Sequence, residues 1–395
     1  MIPFEKIYTE FEDTNNVCKF CEIYENDSVA IRFLLIRSLD KSNLKDIIER
    51  YSNEEPDGNI KNLTKIAYNS SVTIEQLLSY IEEQRTKLIK VREEELNGLS
   101  NVLSQIPVVN CGVRNDKIDD IVKAFVRDKS IKSYDLLIKE LDSSLLQKVR
   151  QYCLWSYYNQ TANDIIELFF LKHPKVIPTL RKIHDIDFFL KVGDKIIPFD
   201  LKFTHISDQA RDGYFDLVSQ GIDSSKSTFD DYSVTEKKPS ELNIIRDFYN
   251  AYKRTNRNLN LTAASKLSKY DLVSFISNID SDSAKEFVIE IESTREKYVP
   301  DNTEELKILE WWNYKYQGER LFCNNNRFFV FVAFKNKFID GRELKGKTDE
   351  IGKKITELLD SLTESSIHEI HYHYEKEARL IGDYTAYSLS TIYSE

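Results

Sequence analysis

No apolar run in the sequence approaches the ~20 residues a membrane-spanning helix requires. The longest candidates, VAIRFLLIRSL (29–39) and FFVFVAF (328–334), are short or broken by arginine. The first residues, MIPFEKIYTEFED, lack a basic stretch followed by an apolar one, so the expectation is a cytoplasmic, prokaryotic-type intracellular protein rather than a secreted one. Cysteine is scarce: five residues, an odd number spread over 395, make no disulfide framework and fit a reducing compartment. Glycine is scarcer still for the length. With 11 in the chain, no phosphate-cradling lysine loop, dinucleotide fingerprint or nucleophile elbow occurs, which argues against nucleotide-binding and serine-hydrolase chemistry. A global positive charge is also missing. The formal net charge is −10, so any nucleic-acid contact must come from a local basic surface.

What is present is the composition of a globular protein, 41% hydrophobic and 30% charged, in a chain too long for one ordinary core. Apolar spacing predicts a mainly helical region over 1–150. Its clearest helix starts near Thr73, with Gln76 completing a capping box and Gly98 at the stop. KIDDIVKAFV and SYDLLIKELDSSLLQKVRQYCLW read as further helix, SNEEPDG (52–58) as loop, and CKFC (18–21) stays unassigned. From 151 to 395 the pattern changes to an α/β unit with a mixed sheet. A helix starts at Thr161 and ends near Pro174. A hairpin follows, then a polar stretch to about Ser240, a helix in ELNIIRDFYNAYKR and a strand in EFVIEIES (286–293). A buried strand in NRFFVFVAF, a helix over 347–362 and two closing strands, IHEIHYHYE and YTAYSLSTIY, complete the unit. The segment at about 205–320 reads as an insertion into this unit.

The hairpin, HDIDFFLKVGDKIIPFDLKFT (184–204), carries acids and a lysine where apolar residues would pack better. Gly193-Asp194 suits a two-residue turn. Pairing Val192 with Lys195 then sets Asp187 opposite Asp200 and Asp185 opposite Lys202, all on one face. Opposed side chains have Cβ atoms about 4.5–5.5 Å apart, so two carboxylates there repel unless a cation lies between them. Mg²⁺ accepts one or two protein carboxylates and fills its shell with water and phosphate oxygens. Pro198 just upstream suits a strand edge or a bulge that would re-aim Asp200. The ordinary alternative is a solvated face, which apolar flanks such as IIPF disfavour.

These residues resemble the PD-(D/E)xK nuclease superfamily, and IPFDLKFT resembles the DxK strand of type II restriction endonucleases. The resemblance covers about 161–205. It implies a restriction-endonuclease-like core: a mixed central sheet flanked by helices, beside the helical N-terminal region. It implies Asp187 and Asp200 as metal ligands, Lys202 as the water-activating lysine, and Glu167, twenty residues upstream on the helix TANDIIELFF, as a further catalytic and metal-binding acid. The sequence departs from the pattern in having Ile186 before the first acid, and Asp185 competes with Asp187 for that position. The implied activity is a Mg²⁺-dependent endodeoxyribonuclease acting on double-stranded DNA as a homodimer, with Mn²⁺ as a substitute metal. The alternatives are a defence or repair effector of low sequence specificity, or a catalytically inactive DNA- or protein-binding relic.

For DNA contact, WWNYKYQGER (311–320) offers Lys315 and Arg320 for phosphates, Gln317 for an adenine edge and aromatics as wedges, unless Trp311 and Trp312 are core anchors. AYKRTNRN (251–258) groups Lys253, Arg254 and Arg257 as a second candidate, although such runs are usually just solvated. CKFC lacks the second pair a structural zinc site needs. His371 and His373 share a strand face, where hydrogen-bonded packing is the expected role.

Overall fold

The computed structural model describes residues 2–14, 17–24, 27–106, 133–219, 241–296, 299–316, 325–338, 341–374 and 381–395, with isolated positions between 122 and 127. The N-terminal part is helical: α1 (Phe4–Thr14), α2 (Val17–Ile23), α3 (Asp27–Arg37), α4 (Lys41–Tyr51), α5 (Ile60–Asn69), α6 (Ile74–Leu96) and α7 (Leu99–Gln105). Local chemistry sets its boundaries. Asp40 accepts from the Ser42 and Asn43 amides at the start of α4, and Asn59 accepts from Asn62 N at the start of α5. Thr73 and Gln76 close the predicted capping box of α6. The Arg32 guanidinium donates to Tyr68 O, Ser70 O and Val72 O, taking up carbonyls that the end of α5 leaves open.

Helix α8 (Tyr134–Glu140) continues through a π-helical turn, Leu141–Leu145, into α9 (Leu146–Lys172). Thr161 is therefore interior to a long helix rather than its start, because the residues before it also have helix-compatible spacing and no cap interrupts them. The segment KIDDIVKAFV lies largely outside the described residues.

Among the described residues, six strands form one mixed sheet in the order β1 (Val176–Ile183), β2 (Ile186–Val192), β3 (Lys195–His205), β4 (Arg327–Ala333), β6 (Gly382–Ser394), β5 (His368–Tyr374). The pairs β1–β2, β2–β3 and β5–β6 are antiparallel; β3–β4 and β4–β6 are parallel. The predicted turn is present: Gly193 has φ +60° and Val192 pairs with Lys195. Pairing stays regular past Pro198; the register shift lies instead in β1–β2, between Pro178 and Ile183.

β4 is buried at every position, which matches its continuous apolar run. Phe328, Val330 and Val332 join one core under α9 and α15 (Thr348–Asp360), with Phe170, Phe188, Phe199, Ile351 and Ile355. Phe329, Phe331 and Ala333 join the core on the other face under α10 (Asp208–Ser219) and α14 (Thr303–Tyr316). The presence of α10 corrects the expected polar stretch after Thr204. Between β3 and β4 the chain also forms α11 (Glu241–Thr255), α12 (Lys269–Ser277) and α13 (Asp282–Glu296), which share their own small core. Helix α13 overturns the strand expected at EFVIEIES. Its alternation is superficial: Ala284, Phe287, Val288 and Ile291 sit at helical spacing against the small core, while Ile289 is 65% exposed.

The N-terminal helices are not separate from the sheet. Their core includes Ile177, Ile183, Ile186 and Phe189 of β1–β2. No described helix is long and apolar enough to cross a membrane.

Candidate active site

The site is made where β3 changes partner. Its first half pairs with β2 as far as Phe188↔Phe199, and from Asp200 onward it pairs in parallel with β4. Asp187 and Asp200 stand one step beyond the last β2–β3 pair, at the fork. The Leu201 amide, no longer bonded to a β2 carbonyl, donates to Asp187 Oδ2 at 2.8 Å. The Asp200 amide donates to Asn326 O at 2.9 Å, and Asp200 Oδ2 lies 3.3 Å from Arg327 Nε. Thr179 Oγ1 donates to Asp187 O at 2.8 Å, tying β1 to the same point.

The electrostatics of the fork are uneven. Burial raises the Asp187 pKa to about 6; the Leu201 amide opposes this and the Asp200 carboxylate adds to it. Burial also raises Glu167, on α9, and the Asp187 charge raises it further. Lys182 at the end of β1 counteracts the rise at both acids. Glu167, Asp187, Lys182, Arg92, Asp164 and Leu201 are among the residues lining one cavity of about 180 Å³ between α9 and the hairpin.

The structure thus brings Asp187 together with Asp200, and sets Glu167 near Asp187 alone. Lys202 is half-buried two residues after Asp200, so strand alternation puts it on the same face, paired in register with Phe329. Asp185 does not join them. It occupies the β1–β2 turn with φ +66°, and its Oδ2 is 2.5 Å from His184 Nδ1. The predicted Asp185–Lys202 opposition fails because β2 begins only at Ile186.

Among the described residues, no three His, Cys, Asp or Glu side chains converge as a ready-made metal cage. The donor set nevertheless fits a hard divalent cation of the Mg²⁺ kind, which takes oxygen ligands and needs only one or two protein carboxylates. Two carboxylates brought together in a half-buried fork, one of them with its pKa raised mainly by burial and further by the other's charge, are what such a cation would relieve.

Three contributors escape sequence reading. Arg327 and Asn326 reach Asp200 only through a parallel register spanning more than a hundred residues, and nothing in NNNRFF signals it. Lys182 has a weak local signal, a basic residue shortly before the first acid. The other candidates are placed as follows. Trp311 and Trp312 are core anchors of α14, 0% and 6% exposed, so neither ring is available as a wedge. The Lys315 ammonium lies 5.3 Å from the centre of the Trp311 ring. Gln317 and Arg320 lie outside the described residues. Cys18 is buried and donates to Asn326 Oδ1 at 2.6 Å, burial holding its thiol well above the usual range; Cys21 is half-buried. His371 Nδ1 pairs with Thr385 Oγ1, His373 Nδ1 with Asp383 Oδ1, and His368 Nδ1 with buried Glu310 at 2.7 Å. Lys253, Arg254 and Arg257 lie together on the inserted helical unit. Compared with models of known protein families, with curated proteins and with solved structures, the chain gives no match.

Proposed function

We propose that the chain is a divalent-metal-dependent endodeoxyribonuclease with a restriction-endonuclease-like core of the PD-(D/E)xK kind, hydrolysing phosphodiesters of double-stranded DNA. The observation that carries this reading is the meeting of Asp187 and Asp200 at the strand fork, with Asp187 raised to about pH 6. Asp187 and Asp200 would hold the ion. When bound, Mg²⁺ supplies charge neutralisation at the phosphate and makes a water more acidic.

The chain's own groups do the rest. The Leu201 amide fixes the Asp187 carboxylate, and Arg327 and the Asn326 carbonyl fix Asp200 from the side and from the backbone. Lys202 presents an ammonium on the Asp200 face, where it stabilises charge growing on the phosphate oxygens and orients the attacking water. Glu167, on the cavity wall, holds a proton more firmly than an ordinary glutamate and would hydrogen-bond a water entering the cavity. One such site breaks one strand, so a double-strand cut takes two copies of the chain.

The test is plasmid and linear-duplex cleavage in Mg²⁺. Asp200→Ala is expected to remove detectable cutting, and Lys202→Ala to slow it on the order of 10²–10³-fold, the usual cost of losing one charge-stabilising donor. Circular dichroism and DNA binding should stay unchanged in both. Full cleavage by either variant eliminates the site. A second reading, a nucleic-acid-binding module without hydrolysis, is favoured by one observation: Arg327 already stands as a cation beside Asp200. Calorimetric titration with Mg²⁺ or Mn²⁺ separates the two, since the binding module should take up no ion at the fork.

A further inference from the structure

Helix α11 has two unlike faces. Ile245 and Tyr249, with Phe248 and Tyr252, bury against α12 and α13 in the small inserted core. Arg246, Asn250, Lys253 and Arg254 follow at intervals of three and four on another face, and Arg257 continues the line in the turn beyond Thr255. These residues line an open cleft of about 620 Å³ whose other wall is Ala263–Ser265; every charged residue lining it is basic. The wall is fastened in place. Lys253 Nζ donates to Leu261 O at 2.6 Å and Tyr249 Oη to Thr262 O at 2.9 Å. Arg254 and Arg257 are exposed, and among the described residues no carboxylate lies within ion-pair distance of Arg246, Arg254 or Arg257. The acid of this helix's first turn, Glu241, is turned inward onto Lys269 and Arg295.

We infer that this cleft is a docking surface for the phosphodiester backbone of duplex DNA. Guanidinium groups suit phosphate because they present paired donors to two of its oxygens. The cations do not converge on a point, as they would around a small anion. From Arg246 to Arg254 the helix rises about 12 Å, and successive phosphates of one DNA strand step ~3.4 Å along the duplex axis while also rotating about it, so the row is long enough to meet more than one phosphate of a strand. In a chain of net charge −10, a basic row whose arginines pair with no acid among the described residues also biases which side a polyanion approaches. The inference rests on the DNA part of the preceding reading and not on its hydrolysis.

The test uses the full chain in EDTA, so that cutting plays no part, with fluorescence anisotropy of a labelled 20-base-pair duplex followed across NaCl concentrations. The double variant Arg254→Gln/Arg257→Gln is expected to flatten the slope of log K against log salt by about 1.8, or about 0.9 per lost phosphate contact, and to weaken binding about 60-fold at 0.1 M salt. Arg254→Lys/Arg257→Lys should restore most of the slope. Because both positions are exposed, thermal unfolding should not change. An unaltered slope in the glutamine variant, absence of DNA binding by the parent chain at low salt, or preference for an RNA duplex of equal length would each overturn the inference. Intact salt-dependent binding in a chain that never cuts would sink the nuclease reading and leave this one standing.

Discussion

At the scale of single residues, Asp187 offers the sharpest test because its titration has a definite sign. In the folded, metal-free protein it keeps its proton to about pH 6, against an ordinary 3.8. Between those values the folded state binds more protons than the unfolded one. Its contribution to stability is therefore complete below about pH 4 and is lost as pH rises through about 6. Urea midpoints measured across this window should fall with rising pH, and Asp187→Asn should flatten the trend. With Mg²⁺ the linkage reverses: ion binding needs the carboxylate, so affinity should rise up to tenfold per pH unit below 6 and level off above it. Calorimetry at pH 5, 6 and 7 measures this directly. The pairing of Asp187 with Asp200 was legible in the sequence because a two-residue turn and a period of two leave one register. Asp185 was not separable from it, since only the true start of β2 decides which acid lies in the strand and which in the turn.

At the scale of elements, the packing of α9 on α15 turns on one small residue. A Cβ built on Gly352 would come 2.4 Å from the ring of Phe169. Gly352→Ala gains about 1 kcal/mol of helix propensity, yet overpacking costs typically 1–3 kcal/mol. The expected result is no gain or a net loss of stability, read from chemical denaturation, and Phe169→Leu should recover part of it. Helix α6 gives a simpler case: Thr73→Ala removes a reciprocal cap and should cost about 1 kcal/mol. Elements with strong local signals, such as α6, α15 and β4, could be read from the chain. The helix α13 could not, because E-F-V-I-E-I-E satisfies a strand's alternation as well as a helix's spacing. Only its neighbours, Ala284 and the small core, decide between them.

At the scale of the whole molecule, the division near residue 150 falls inside the continuous helix α9, and the N-terminal helices cover Ile177, Ile183, Ile186 and Phe189. The Arg85 guanidinium of α6 donates to His173 O and Val176 O, so side-chain-to-backbone hydrogen bonds also join the two parts. Residues 151–395 expressed alone should expose this apolar edge and be insoluble or unfolded by circular dichroism, while the full chain stays soluble. Long-range parallel pairing is what the sequence hides, and Asn326 is its centre. Its Oδ1 accepts from the Cys18 thiol and the Tyr387 amide, its Nδ2 donates to Pro198 O, and its carbonyl takes the Asp200 amide. One side chain thus acts as a rivet through helix α2, strand β6 and strand β3, which bears Asp200. Aspartate there would forfeit the donor and leucine all three side-chain bonds, and loosening the joint would let the fork swing apart without a single acid being touched.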